Sequence, residues 1–138
     1  MTSTIASKTS FDTITAWGHE HLEAVVAIDS SSDETSSTIP SSEGQRKLSA
    51  HLEAMFRAQG FATESDASAN LIVTIAATKG KEKAPPVALM VHMDTSHGTS
   101  AVAKLHVVSK WNGQRVAYPK NERLHVDVTA VELAVADL

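Results

Sequence analysis

Pro85-Pro86-Val87-Ala88-Leu89-Met90-Val91-His92-Met93-Asp94-Thr95-Ser96-His97-Gly98 is the stretch on which the reading of this chain turns. It is a short apolar run with prolines ahead of it and a polar loop behind. That pattern predicts a strand buried on both faces. Alternation along a strand puts His92 and Asp94 on one face and Met93 on the other. An imidazole thus stands beside a carboxylate at a strand end, where open α/β sheets usually carry their sites. A metal-ligating histidine commonly gives its second ring N–H to a carboxylate, so the motif reads as one part of a zinc site.

Working back from this run, Lys79-Gly80-Lys81-Glu82-Lys83 is a charged turn leading into it. Leu71 to Ala77, rich in branched residues, and Phe61 to Glu64 read as short strands. A helix precedes them. Ser42 with Gln45 makes a capping-box pattern, Leu48, Leu52, Met55 and Phe56 follow at helical spacing, and Gly60 is the C-terminal stop. Asp29 to Glu43 is a Ser/Thr/Asp/Glu-rich loop containing Pro40, longer than most connections. Ile14, Trp17, His21, Val25 and Ile28 recur at helical spacing and predict an amphipathic helix over residues 12–28.

Beyond Gly98, Leu105 to Val108 reads as strand, Trp111-Asn112-Gly113-Gln114 as a turn, and Arg115 to Tyr118 as a short extended piece. Leu124 to Val128 alternates as a strand does, and Val131 to Leu138 is apolar and open to either strand or helix. No internal repeat and no domain boundary stands out. Helices alternating with strands make this an α/β domain.

Composition narrows the chemistry. With 138 residues, 42% hydrophobic and 20% charged, the chain is of globular type and long enough for a core. A net charge of −4 without a Lys/Arg cluster argues against nucleic-acid binding. The absence of cysteine excludes disulfides and thiolate metal sites, so any zinc needs His, Asp or Glu ligands. No apolar stretch reaches the length of a membrane span. Met1 to Ser10 lacks the apolar centre of a secretory signal, which makes cytoplasmic the expected location.

The chain carries its own control for the His-x-Asp motif. His125-Val126-Asp127 repeats the spacing, but it follows the polar Lys120-Asn121-Glu122-Arg123 and reads as a surface pair on a half-exposed strand. His97 is open to two readings, a substrate contact reached from the loop after the first motif or a solvated loop residue. His19 and His21 are two apart on a helix and point away from each other. His51 reads as solvated and His106 as structural. There is no Gly-x-Ser-x-Gly elbow, no phosphate-binding glycine loop and no His-Glu-x-x-His.

Four features in order resemble the N-terminal part of a known family. They are Val26-Ala27-Ile28-Asp29-Ser30 at the end of the first helix, the loop Ser31 to Glu43 with Ile39-Pro40-Ser41, the capped helix ending in Gln59-Gly60-Phe61, and Val91-His92-Met93-Asp94-Thr95. The family is that of the zinc-dependent exopeptidases and deacylases, containing peptidase T, carboxypeptidase G and acetylornithine deacetylase. The similarity runs over roughly residues 10–100, and Ser96-His97-Gly98 looks closest to the peptidase T-like branch.

The resemblance implies part of a three-layer sandwich, with a mostly parallel or mixed sheet flanked by helices. It implies His92 as a zinc ligand and Asp94 as the partner that orients the imidazole. The family site holds two zinc ions with a bridging aspartate and a glutamate base, and its substrates are peptides or N-acyl amino acids. This chain departs from that pattern. No glycine follows Gly113 to mark the bridging-aspartate segment, and no adjacent glutamate pair occurs. Asp127, Glu132 and Asp137 match no family motif.

The expectation is therefore that residues 1–138 are the N-terminal portion of such a catalytic domain, without the lid or dimerisation domain. Zinc binding is expected to be weak or absent, and the chain alone inactive. The alternative is a non-catalytic remnant or interaction module that self-associates, as a homo-oligomer, through an open sheet edge.

Overall fold

The computed structural model describes residues 11–119 and 121–126. The chain divides into two compact units, the first ending at Lys104 and the second beginning at Leu105. Nothing in the composition around residue 104 marks that boundary.

In the first unit, helix α1 spans Phe11–Val26. Its expected apolar face is only partly covered: Ile14 and Trp17 are exposed, while Val25 and Ile28 are half-buried. His21 stacks on Trp17 one turn earlier, ring centroids 4.0 Å apart, and its Nδ1 lies 2.8 Å from the Trp17 carbonyl. This histidine is engaged with its own helix.

Helix α2, Glu43–Ala58, is built by its ends. The Ser42 hydroxyl accepts from the Gln45 N–H, and the Gln45 side chain accepts from the Ser42 N–H, so two of the free donors of the first turn are satisfied reciprocally. At the other end Gly60 takes φ +87°, a left-handed conformation that favours glycine. Its N–H reaches the Arg57 carbonyl, and the Phe61 N–H reaches the Phe56 carbonyl. This is a Schellman stop, closed by an edge-on Phe56–Phe61 contact at 6.1 Å between centroids.

α2 packs on a two-stranded ribbon of β1, Ala62–Ser65, and β2, Leu71–Thr74. The register Thr63↔Val73 and Ser65↔Leu71 puts those four residues on one face. Glu53 on α2 accepts from both β1 hydroxyls, Thr63 Oγ1 at 3.3 Å and Ser65 Oγ at 3.0 Å, and pairs with Arg57 at 2.7 Å. Arg46 bonds the carbonyls of Ala67 and Ile39, tying the β1–β2 turn and the long loop to the helix. Leu48, 2% exposed, is the fully buried large side chain of the described residues.

The β1–β2 turn is organised by Asp66. Its carboxylate accepts from the main-chain N–H groups of Ser68 and Asn70 and from the Asn70 amide. So short a connection returns the chain antiparallel. The strands expected near 61–64 and 71–77 are present, but they form an antiparallel ribbon, not part of a parallel or mixed sheet. Among the described residues of this unit α2 packs on the ribbon, and the expected third layer is not seen.

The reading of Val87–Val91 as a doubly buried strand is also corrected. Val87, Leu89, Met90 and Val91 are 84–96% exposed and no ladder flanks them. A strand buried on both faces needs a layer over each face and a strand at its edge. Among the described residues, helix α2 and the ribbon are packed on each other instead.

In the second unit β3, Val116–Tyr118, pairs antiparallel with β4, Asn121–Val126, with an irregularity between Ala117 and Tyr118. They fall at the extended pieces expected at 115–118 and 124–128, but β4 begins three residues early, at Asn121, and residues 127–128 lie outside the described residues. Leu105–Val108 forms no strand. At the expected turn, Gly113 takes φ +82° and Trp111 Nε1 donates to the Gln114 carbonyl. Lys120, Asp127, Glu132, Asp137 and the apolar run 131–138 lie outside the described residues. No helix is long and apolar enough to cross a membrane among the described residues.

Candidate functional site

The loop after α1 is a chain of local hydrogen bonds. Asp29 Oδ1 accepts from the Ser31 hydroxyl and N–H, and Asp33 Oδ1 accepts from those of Thr35. The hydroxyl bonds first, then the main-chain bonds, hold both carboxyls below the usual aspartate range; His97 contributes to Asp33 through its charge. Ser, Thr and Asp prefer such turns to regular structure.

This loop is fastened to the end of the Pro85 stretch. Ser31 and Thr95 form a parallel bridge, in which Thr95 N–H donates to the Ser30 carbonyl at 3.3 Å and Ser32 N–H to the Thr95 carbonyl at 3.0 Å. Side chains add to it: the Ser30 hydroxyl donates to the Met93 carbonyl at 3.4 Å and the Ser32 hydroxyl to the Thr95 carbonyl at 3.3 Å. The clasp seats residues 92–97 beside the end of α1. Met93 lines a small cavity of about 120 Å³ with Val25, Val26 and Val102, and the Val102 N–H caps the Val26 carbonyl.

His92 Nδ1 stands 2.9 Å from the Asp94 carbonyl and 3.1 Å from Asp94 Oδ1. Both partners are acceptors, so the ring proton of a neutral imidazole belongs on Nδ1 and the Nε2 lone pair stays free. The expected pairing of His92 with Asp94 is found. Burial is not: the His92 side chain is 84% exposed and that of Asp94 39%.

The second motif copy has the opposite chemistry. His125 Nδ1 faces an Arg115 guanidinium nitrogen at 2.8 Å. Arginine only donates, so this shorter contact makes Nδ1 an acceptor, although the Arg123 carbonyl also lies 3.3 Å from it. The two His-x-Asp copies are therefore not equivalent.

His97 turns away to the loop, its Nδ1 3.2 Å from the Ser32 carbonyl. Among the described residues, no three His, Cys, Asp or Glu side chains converge in a way that would hold a metal ion. A zinc site needs three or four ligands from the protein. The described residues do not fit a complete zinc centre, and what His92 offers is a single ring nitrogen, Nε2, on the side away from Asp94. Ser30, Ser32 and Thr95, which hold the site, carry no sequence signal of their contact, although Ser30 and Thr95 close two of the quoted motifs. The side-chain bonds of the clasp, Ser30 to Met93 and Ser32 to Thr95, each join residues 63 apart in the chain, and the three hydroxyls read as ordinary loop residues.

No family model matches the chain, and no solved structure matches it significantly. Among curated proteins it is 32% identical over 107 residues to peptidase T of Brevibacillus brevis, covering 76% of this chain and 25% of that protein. It is 29% identical over 105 residues to peptidase T of Staphylococcus carnosus, covering 75% and 25% respectively. These matches support the peptidase T part of the resemblance and do not extend it to carboxypeptidase G or acetylornithine deacetylase. The chain spans about a quarter of the length of the curated relatives it matches, and over about three quarters of its own length it is similar to peptidase T.

Proposed function

We propose that residues 1–138 are the N-terminal portion of a metallopeptidase-like catalytic domain, of the amide-bond hydrolase and tripeptide-aminopeptidase type. His92 serves as a zinc ligand through Nε2, Asp94 orients its ring, and His97 lies on the substrate side. The substrate class is a peptide or an N-acyl amino acid. The observation that carries this reading is the His92–Asp94 geometry in a chain similar to peptidase T: both groups that meet Nδ1 are acceptors, an arrangement that favours the proton there and leaves Nε2 available. A carboxylate or carbonyl behind a histidine is the arrangement that fixes a ligand's tautomer and raises its basicity.

With one ligand in place, no hydrolytic step is assigned to this chain. The test is a zinc titration followed at the individual imidazole resonances of the 138-residue chain, which has seven histidines. His92 should respond first and at its Nε2 side, and His92→Ala should remove that response while the fold persists. A response at other histidines with His92 unmoved would defeat the reading.

A second reading rests on the exposed run Val87–Val91. An apolar segment with unpaired main-chain groups is a template for pairing with another chain. In that case the protein is a non-catalytic module that self-associates.

A further inference from the structure

Asp94 is the residue that fixes His92, and both peptide planes flanking Asp94 are held by one other residue. The Met93 carbonyl and the Asp94 N–H share a rigid plane, as do the Asp94 carbonyl and the Thr95 N–H. The Ser30 hydroxyl donates to the Met93 carbonyl, which holds the first plane. The Ser30 carbonyl accepts from the Thr95 N–H, which holds the second. With both planes held, φ and ψ of Asp94 are set, and so are the positions of the two oxygens that meet His92 Nδ1.

Ser30 is suited to this work. It is 3% exposed, so water does not compete for its hydroxyl, and a buried hydroxyl is costly to leave without a partner. His92 itself is largely in solvent. There a free neutral imidazole favours the proton on Nε2, the opposite of what these contacts impose.

We infer that Ser30 is a positioning residue for His92, setting its ring tautomer through the backbone of Asp94. The inference rests on the reading of His92 as a ligand through Nε2, since its functional consequence is to keep that nitrogen unprotonated. The hydroxyl controls one plane and the main chain the other, so removing the hydroxyl loosens Asp94 without cutting the clasp.

The experiment reads the His92 tautomer directly, from ring nitrogen shifts and long-range proton–nitrogen correlations of the full chain at about pH 8, where an ordinary histidine is neutral. The wild type should show Nδ1–H as the major form. Ser30→Ala should shift the majority to Nε2–H, and Ser30→Thr, which keeps a hydroxyl, should restore it. Throughout, the His125 signals, with a different partner, should stay put. If Ser30→Ala does not fold, Ser30→Cys keeps the volume with a weaker donor and should give a mixture.

An unchanged tautomer in the folded Ala or Cys variant, whatever happens to its melting midpoint, overturns the inference. So does a wild type already protonated on Nε2. A wild type whose tautomer depends on Ser30 but whose His92 ignores zinc rejects only the ligand reading, so the two failures are distinct.

Discussion

Gly44 lies so close to Asp29 that a Cβ built on it would overlap the Asp29 carbonyl oxygen. The first turn of α2 thereby touches the segment that begins the Ser30 clasp. The contact is backbone against backbone and has no flexible end to yield.

This makes the sign of one substitution diagnostic. In an open helical position Gly→Ala stabilises by about 1 kcal/mol. Here the added methyl must push the 29–30 backbone away, and Gly44→Ala is expected to destabilise by ~1–3 kcal/mol. Chemical denaturation followed by circular dichroism decides between the two, and a stabilised variant would mean that the approach is looser than described.

The ends of α2 give a matched pair. Ser42→Ala removes the capping hydroxyl and should cost about 1 kcal/mol, whereas Ser42→Gly should cost only a few tenths. At the other end, Gly60→Ala forces a side chain into the left-handed region and should cost about 1–2 kcal/mol. Denaturant midpoints should fall in the order Ser42→Gly, Ser42→Ala, Gly60→Ala, with Ser42→Gly nearest the wild type.

Acid should weaken the loops through their aspartates. Asp66 is held below the ordinary range by the Asn70 side chain and then by the main-chain bonds of the turn, and Asp29 and Asp33 are lowered in the same way. A carboxyl whose folded value is depressed contributes stability that is complete above its unfolded value, about 3.9, and that is lost as pH falls through the folded value. Stability should therefore be flat in these terms down to about pH 5 and decline below pH 4. Asp66→Asn should flatten part of that decline in a pH series of melting midpoints; an unchanged acid limb would show that the turn carboxylate contributes nothing.

If the second reading holds, the exposed run drives association. Leu89→Lys, at a position 93% exposed, should leave the folded chain intact and return it to monomer by light scattering across a concentration series. A wild type that stays monomeric at high concentration would remove the observation's functional weight.

Local signals made α2 readable in full. Ser42, Gln45, the apolar spacing and Gly60 each act within a few residues, and each is found at its expected post. The His92–Asp94 pair was readable for the same reason, since i and i+2 on an extended chain share a side. What escaped the sequence is long-range. Apolarity at Val87–Val91 records that the segment favours burial, not that a layer is there to bury it. The antiparallel return of β2 depends on the Asp66 turn, and the Ser30–Thr95 clasp is made largely of main-chain groups that every residue possesses.

The same exposed run has a consequence for the chain's survival. A protease needs a length of backbone that is free of ladder bonds and open to water, and residues 81–91 meet both conditions with Lys81 and Lys83 in front of the apolar run. Limited trypsin digestion should therefore cut first around these lysines, separating the α2–ribbon core from the His92 end. A polypeptide similar to part of a peptidase thus presents, beside its best candidate ligand, the layout of a peptidase substrate.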